Sequence, residues 1–386
     1  MALVLRPGIL HNLTLDPANL PPESLVSPEV RQEILDLQRE GYDIQLVRVP
    51  DPQALKPADQ SNLDQYIATL EADPEAGYYT LRTSSSLRAW FQLTKAAASL
   101  HPIYGASTFR TLGEGIDVSA YSEPLFTDAS RPGASCSARQ LIQEGTKGDE
   151  IWTKYEQFIT TPIDNITRRL LRGSADSRGV RARAVLATLM VLDHVGPTSG
   201  QNPKALRCAS IACGAAGPMC RLVTALEDQG AKVADLFMID HDPMALATGF
   251  SIARQAGISK RVVLQRLNLM RSRFSECIEA GTVDIADLLG VFEYFTNNPS
   301  TQMAAKLLRN TCDIMRPGGL IILANMLRHR PQEVFFRDIT RWPRLQHRTI
   351  RQVLKIIGQA GLDPRQAIIR VAAVPGVYAN FAIPVP

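Results

Sequence analysis

The feature that most constrains the fold is a regular alternation after Gly200, where short β-rich runs alternate with amphipathic stretches of about 10 to 15 residues. Such an alternation is typical of parallel strands connected by helices, because a parallel connection must cross back over the sheet. Only Pro375 and Gly376 separate the last two runs, so these two strands form an antiparallel hairpin. The sequence therefore predicts an α/β fold with a seven-stranded, mostly parallel sheet. The predicted strands are 205–211, 235–239, 262–267, 285–291, 319–324, 367–374 and 377–383.

Composition argues against several classes of protein. The six cysteines are scattered, without a C-x-x-C pair or histidines at metal-ligand spacing, so we expect reduced thiols and no metal site. The net charge of +4 is mild, and no dense basic face interleaved with aromatics is visible, so nucleic acid is not an expected partner. The apolar runs are too short for a membrane span or a signal peptide. We therefore expect a cytoplasmic protein without a membrane partner.

The first predicted strand runs into a turn of small residues at 210–218, which a helix follows. Pro218 suits the first turn of that helix, and small side chains let a ligand approach the backbone closely. Amide groups at the start of a helix can bind polar groups, so Ala212, Cys213 and Gly214 are candidate ligand-binding residues. The alternative is a tight turn that needs small residues for its own geometry, since such a turn alone is weak support for a site.

Polar residues also follow the second and third predicted strands. The second strand ends at Asp240 and His241, and an acidic side chain there can accept hydrogen bonds from both hydroxyls of a ribose. Alternatively, Asp240 or Asp242 caps the following helix, and the two roles can be divided between the two aspartates. The third strand ends at Asn268 and Leu269, where a polar side chain can bind an adenine amine while the leucine packs against the ring.

The fourth predicted strand opens into residues 289–295, at the edge of the sheet where ligands of open α/β folds bind. Polar residues at this position face the reacting end of a bound ligand. Glu293 and Tyr294 are therefore candidate catalytic residues, and Gly290 is a candidate binding residue. Tyr294 is equally suited to packing, as are the phenylalanines on either side of it.

Together, these motifs resemble those of class I S-adenosylmethionine (SAM)-dependent methyltransferases over about half of the chain. More narrowly, residues 210–214, 290–294 and 316–325 are similar to the bacterial group that contains 3-hydroxy fatty acid carboxyl methyltransferases. The resemblance implies that SAM is the cofactor. It assigns Ala212, Cys213 and Gly214 to the methionine part of SAM, Asp240 and His241 to the ribose, Asn268 and Leu269 to the adenine, and Gly290, Glu293 and Tyr294 to the reacting end.

The resemblance also suggests a division of the chain. We expect residues 200–386 to form the Rossmann-like SAM-binding domain and residues 149–199 to form a helical connector that covers the cofactor. Residues 1–148 would form a mainly helical lid or substrate domain, in which 78–82 is predicted as a short strand. Tyr155 lies in the connector, where relatives often supply a lid, so it is a candidate for binding the methionine carboxylate. A packing tyrosine is the equally weighted alternative.

Three functions fit these motifs. The first is methyl transfer from SAM to a carboxylate or hydroxyl of a small molecule, within secondary metabolism. A carboxylate acceptor needs no base, and an arginine would orient it. The cationic and aromatic residues at 326–342 could provide that arginine, or they form a solvated basic face. The second function is attack on the aminocarboxypropyl arm of SAM with release of methylthioadenosine, as in azetidine-2-carboxylate synthases. The third is a SAM-fold scaffold that binds a partner, and a homodimer is compatible with all three.

Overall fold

A computed structural model of the protein describes residues 7–20, 24–51, 53–85, 118–128, 135–160, 164–196, 205–296, 300–342 and 345–386. Within these ranges the strands form one sheet of 11 strands. They are β1 (Thr14–Leu15), β2 (Asp43–Val47), β3 (Phe126–Asp128), β4 (Ser135–Cys136), β5 (Leu206–Ile211), β6 (Val233–Asp240), β7 (Val262–Arg266), β8 (Val283–Leu289), β9 (Met315–Met326), β10 (Ile368–Ala372) and β11 (Tyr378–Pro384). The helices are α1 (Pro28–Arg39), α2 (Pro57–Glu71), α3 (Pro74–Thr83), α4 (Ala138–Gln143), α5 (Gly148–Thr160), α6 (Asn165–Gly173), α7 (Ala175–Val195), α8 (Gly217–Asp228), α9 (Pro243–Gln255), α10 (Ser300–Ile314) and α11 (Ile350–Gln359).

The centre of the sheet has the topology that the alternating pattern predicts. Its seven strands lie in the order β7-β6-β5-β8-β9-β11-β10, with β5 to β9 parallel. β11 runs antiparallel to both β9 and β10, which confirms the predicted hairpin. This order, with its reversed last strand, is that of the Rossmann-like methyltransferase sheet. The order in which strands are added to the sheet reverses between β5 and β8. These two strands lie side by side although β6 and β7 separate them in sequence.

The expected number of seven strands was wrong, because the N-terminal residues add four more. β2 pairs in parallel with β10, and β1 pairs with β2, so these two strands extend one edge of the sheet. β3 pairs with β7, and β4 pairs with β3, at the opposite edge. These strands contain only 2 to 5 residues. Runs this short show too little alternation to be recognised from sequence.

The short strand predicted at 78–82 was also wrong, since this segment belongs to α3. The Asp73 side chain accepts a hydrogen bond from the amide of Ala76 at 3.1 Å, and Pro74 occupies the first helical turn. Both features start a helix. The helix-start signal and the packing of Leu81 in a buried apolar cluster therefore outweigh the β-propensity of the two tyrosines.

Two apolar cores lie on the two faces of the sheet. One core contains the buried residues of α7, α8 and α9, and the other contains those of α1, α10 and α11. Neighbouring residues of a strand point to opposite cores, as Cys208 and Ala209 do in β5. Because both faces are covered by helices, the central strands are buried on both sides and are continuously apolar in sequence.

The helix α7 lies against β11 and is buried along most of its length. Gly179 allows this close approach, because a Cβ built at Gly179 would lie 2.6 Å from the Cβ of Val377. The close packing brings Arg181 and Arg183 of α7 to the centre of the molecule, where both are buried. No helix in the described residues is both long and apolar enough to cross a membrane.

We predict that Gly179→Ala destabilises the protein by about 1 to 3 kcal/mol, because overpacking at Val377 outweighs the gain in helix propensity. Gly358→Ala is the matched control. Gly358 lies in α11, and a Cβ there would meet no atom closer than 3.9 Å. This control should stabilise the protein by about 0.5 to 1 kcal/mol. Urea unfolding of both variants measures the free energies, and a stabilising Gly179→Ala would contradict the packing described above.

Candidate cofactor site

A cavity of about 890 Å³ lies at the carboxyl ends of the central strands. This is the edge at which open α/β sheets bind ligands, in the crevice where the strand order reverses between β5 and β8. The volume lies in the upper part of the range that holds ligands of drug size. Ten of the 11 predicted site residues line this cavity: Ala212, Cys213, Gly214, Asp240, His241, Asn268, Leu269, Gly290, Glu293 and Tyr294.

The turn between β5 and α8 has an unusual backbone. Ala212, Gly214 and Ala216 have φ angles of 53°, 51° and 50°, in the left-handed region that an alanine rarely adopts. The amide of Cys213 donates to the carbonyl of Ile239 at 3.0 Å, and this bond ties the turn to the end of β6. Strained backbone of this kind persists only where the surroundings fix it, and it is concentrated at functional sites.

Asp240 joins this turn to the next strand. Its Oδ2 accepts a hydrogen bond from the amide of Gly214 at 2.9 Å, and its Oδ1 accepts one from the amide of Asp242 at 3.0 Å. The side chain is buried, yet it lines the cavity. The Asp240 carboxylate also raises the pKa of His241 by hydrogen bonding to its imidazole. Asp242 caps α9 by accepting from the amide of Met244, whereas the ribose-binding role of Asp240 stays a prediction.

One end of the cavity is formed by the loop after β7. The exposed Asn268 accepts a hydrogen bond from the amide of Met270 at 3.1 Å, which closes a short turn. Leu269 and Ile252 add apolar surface beside it. The cavity therefore has apolar side chains and an amide side chain here, and the assignment of Asn268 and Leu269 to an adenine stays a prediction.

The other end of the cavity is formed by the loop after β8. Gly290 has a φ of 85°, and a Cβ at this position would clash with the guanidinium of Arg183. Glu293 is buried, and its Oε1 accepts a hydrogen bond from the amide of Met326 at 2.8 Å, while Oε2 has no hydrogen-bond partner among the described residues. Burial raises the pKa of Glu293. Tyr294 lies next to it and is partly exposed at the cavity wall.

The structure does not bring Tyr155 to the cavity wall. It lies in α5 with 1% of its surface exposed, and its hydroxyl donates to Oδ1 of Asp242 at 3.4 Å. Burial and the nearby Asp242 raise the pKa of this tyrosine. Tyr155 therefore packs at the N-terminus of α9 and contacts its capping residue Asp242, as the packing alternative predicts.

Sequence reasoning missed a pair of residues on β5 and β8, where the strand order reverses. Ser210 in β5 and Asp287 in β8 are paired in register, and the Ser210 hydroxyl donates to Oδ1 of Asp287 at 2.6 Å. Both line the cavity, and burial raises the pKa of Asp287 to about 7. The signal was present in sequence as a serine and an aspartate near the ends of two buried strands, but only the strand order makes them neighbours.

Arg183 and Tyr378 also line the cavity and were not predicted. The carbon at the centre of the Arg183 guanidinium lies 4.7 Å from the centre of the Tyr378 ring, a cation–π distance. Both side chains are buried, with 7% and 5% of their surfaces exposed. An arginine inside the apolar stretch of α7 was the available signal, because a charged residue at a buried helical position requires a reason.

The basic segment at 326–342 does not line the cavity among the described residues. Arg330 forms an ion pair with Asp176, and Arg337 pairs with Asp338 at 2.7 Å. Phe335 and Phe336 pack in an apolar cluster with residues of α2 and α3. The segment therefore fastens the N-terminal helices to the sheet.

We predict that Ala212→Gly stabilises the protein by about 0.5 to 1 kcal/mol, because glycine adopts the left-handed conformation without the penalty that alanine carries. Ala68→Gly is the control of opposite sign, since Ala68 is an exposed residue inside α2. It should destabilise the protein by a similar amount. Thermal or urea unfolding measures both variants. Destabilisation by Ala212→Gly would show that the turn is not strained at that residue.

The raised pKa of Asp287 predicts a pH dependence of stability. Between about pH 4 and pH 7 the unfolded side chain has lost its proton while the folded one retains it, so rising pH favours unfolding of the wild type. In the wild type this lowers the free energy of unfolding by about 1.4 kcal/mol for each pH unit, and Asp287→Asn removes the effect. The free energy of unfolding of the variant relative to wild type should therefore rise with pH up to about 7 and then level off. Urea unfolding at several pH values tests this, and a constant difference would contradict it.

Comparison with known proteins finds similarity to solved structures alone. No family model matches the sequence, and no curated protein matches it. Among solved structures, the chain is similar to a possible exported protein of Bordetella parapertussis, with 15% identity and a TM-score of 0.48 over 78% of this chain and 97% of that one. It is also similar to the SAM-dependent methyltransferase SibL, with 13% identity and a TM-score of 0.42 over 73% and 69%. A SAM-dependent methyltransferase of Aquifex aeolicus shows 12% identity and a TM-score of 0.36 over 52% and 89%.

The strand order defines the class of fold. The strand order and the reversed last strand give residues 205–386 the fold of the Rossmann-like, SAM-dependent methyltransferases. The narrower resemblance to 3-hydroxy fatty acid carboxyl methyltransferases stays a prediction.

Proposed function

We propose that the protein is a SAM-dependent transferase that methylates a small molecule. The observation that carries the proposal is the bond between the Gly214 amide and the Asp240 carboxylate, which fixes a small-residue turn and an acidic side chain on one cavity wall. That pairing matches the needs of a nucleoside with a polar tail, because the turn exposes backbone and the carboxylate can accept from ribose hydroxyls.

The charges of the cavity residues support SAM as the ligand. Four carboxyl groups line the cavity, those of Asp240, Asp242, Asp287 and Glu293. All four are buried, so their interaction with a cation is less screened than at the surface. A ligand with a sulfonium and an ammonium group is favoured in such surroundings. Asn268 and Leu269 would hold its adenine, and the backbone at 212–214 would face its methionine part.

SAM supplies a methyl group on a positively charged sulfur, which an oxygen nucleophile can accept directly. The protein must therefore orient the acceptor and exclude water. Val180, Ala184 and Leu345 also line the cavity, and their apolar surface suits the body of an acceptor. Asp287 lies at the base of the cavity and can take the proton of a hydroxyl acceptor, whereas a carboxylate acceptor needs no base.

The cavity volume supports an acceptor over a reaction of SAM with itself. Cyclisation of the aminocarboxypropyl arm would need only the space for SAM, whereas the cavity of about 890 Å³ is also lined by Gln53, Val180 and Leu345, in addition to the residues assigned to SAM. Incubation with SAM alone, followed by mass spectrometry of the nucleosides, separates the two reactions. Enzyme-dependent methylthioadenosine would replace methyl transfer with chemistry on the arm. S-adenosylhomocysteine formed only after small acids or alcohols are added would establish methyl transfer.

We predict that Asp240→Asn weakens binding of S-adenosylhomocysteine by tenfold or more, because a charged acceptor of two ribose hydrogen bonds is replaced by an amide. Asp235→Asn is the matched control. Asp235 lies in the same strand, is partly exposed, and pairs with Arg207 away from the cavity. Isothermal titration calorimetry measures both affinities. A wild-type protein that binds no S-adenosylhomocysteine, or an Asp240→Asn variant that binds it as wild type does, would refute the proposed site.

A further inference from the structure

The guanidinium of Arg183 is buried at the cavity wall without a hydrogen-bond partner. Among the hydrogen bonds and ion pairs of the described residues, none involves this guanidinium, and its Nε is fully buried and unpaired. The Arg183 backbone carbonyl, by contrast, accepts from the side chain of Asn380 at 2.9 Å, so the residue itself is firmly placed. A buried, unpaired arginine is costly, and such groups are normally paired.

The neighbouring carboxylates do not satisfy Arg183, because their hydrogen bonds go elsewhere. Asp287 accepts from Ser210, and Glu293 accepts from the amide of Met326. Arg348 also faces Glu293, so the charge of Glu293 is shared between two guanidinium groups. The positive charge of Arg183 therefore stays available to a ligand, while Tyr378 fixes the plane of the guanidinium from one side.

The surroundings hold this arginine in one position. The guanidinium occupies the space that any side chain at Gly290 would need, and α7 cannot shift because Gly179 packs directly on Val377. A planar guanidinium fixed in this way presents two parallel N–H groups, the geometry that recognises a carboxylate. A ligand hydroxyl or carbonyl would leave the buried charge uncompensated.

We propose that Arg183 binds a carboxylate group of the ligand in this cavity. The inference rests on the proposed function and specifies its recognition chemistry. Two sources can supply the carboxylate, the aminocarboxypropyl arm of the cofactor and a carboxylic acid acceptor. Arg183 lies beside Gly290, which is assigned to the reacting end of the cofactor, and it lines the same cavity as the apolar residues proposed for the acceptor.

The first experiment separates the carboxylate from the rest of the nucleoside. Calorimetry measures binding of S-adenosylhomocysteine and of methylthioadenosine, which lacks the amino acid arm, to wild type, Arg183→Met and Arg183→Lys. If the arm supplies the carboxylate, Arg183→Met weakens S-adenosylhomocysteine binding by about 10- to 100-fold and leaves methylthioadenosine binding unchanged. Arg183→Lys keeps the charge without the planar fork, so it should lie between the two and also reports if Arg183→Met does not fold.

The second experiment tests the acceptor as the source. Acetate and octanoate are added to protein saturated with S-adenosylhomocysteine, and the melting temperature is compared with that in acetamide and octanamide. If an acceptor supplies the carboxylate, an acid stabilises the wild type more than its amide does, and Arg183→Met loses this difference while binding S-adenosylhomocysteine normally. Arg328→Met is the matched control, because Arg328 is exposed, outside the cavity, and should behave as wild type.

The outcomes are distinct. Equal responses of wild type and Arg183→Met to S-adenosylhomocysteine and to both acids would overturn the proposal. Equal weakening of S-adenosylhomocysteine and methylthioadenosine by Arg183→Met would also overturn it, because the substitution would then act on the cavity as a whole. Failure of the wild type to bind either nucleoside would instead refute the proposed function.

Discussion

The carboxylate of Asp240 is the interaction on which the arrangement of the cavity depends. Its two oxygens bind the amides of Gly214 and Asp242, so one side chain fixes both the turn after β5 and the start of α9. A further hydrogen bond, which the amide of Cys213 donates to the carbonyl of Ile239, connects the same turn to the end of β6. With these contacts, the turn holds two alanines in a backbone conformation that an isolated peptide would avoid.

The charges in the cavity follow from the way the buried elements meet. Carboxylates line it from the ends of β6 and β8, which lie on either side of β5. Arg183 lines it from α7, on one face of the sheet. Burial raises the pKa of Asp287 and of Glu293, because it removes water from their charged forms. Such surroundings favour a ligand that carries both positive and negative groups, and this property links the proposed cofactor to the proposed role of Arg183.

Most of the cavity wall could be predicted from sequence, because its residues follow directly on buried strands. Gly214, Asp240, Asn268 and Gly290 each come at or just after a strand end, so the position of the strand gives the position of the residue. The position of Tyr155 could not be predicted in this way, because it lies in a helix and the sequence does not fix the orientation of that helix. Its hydroxyl donates to Asp242. The edge strands β1 to β4 escaped prediction because they are too short to carry a pattern.

The sequence by itself determined the α/β class, the central strands, the terminal hairpin and the polar residues at strand ends. These depend on local periodicity and on the residues that start and end each element, which are properties of short segments. Only the tertiary structure decided which strands are neighbours and what lies over them. It placed Ser210 against Asp287, added N-terminal strands to both edges of the sheet, and brought Arg183 beside Gly290. The physical reason is that pairing and packing join residues far apart in the chain, and their energies depend on contacts that no single segment contains.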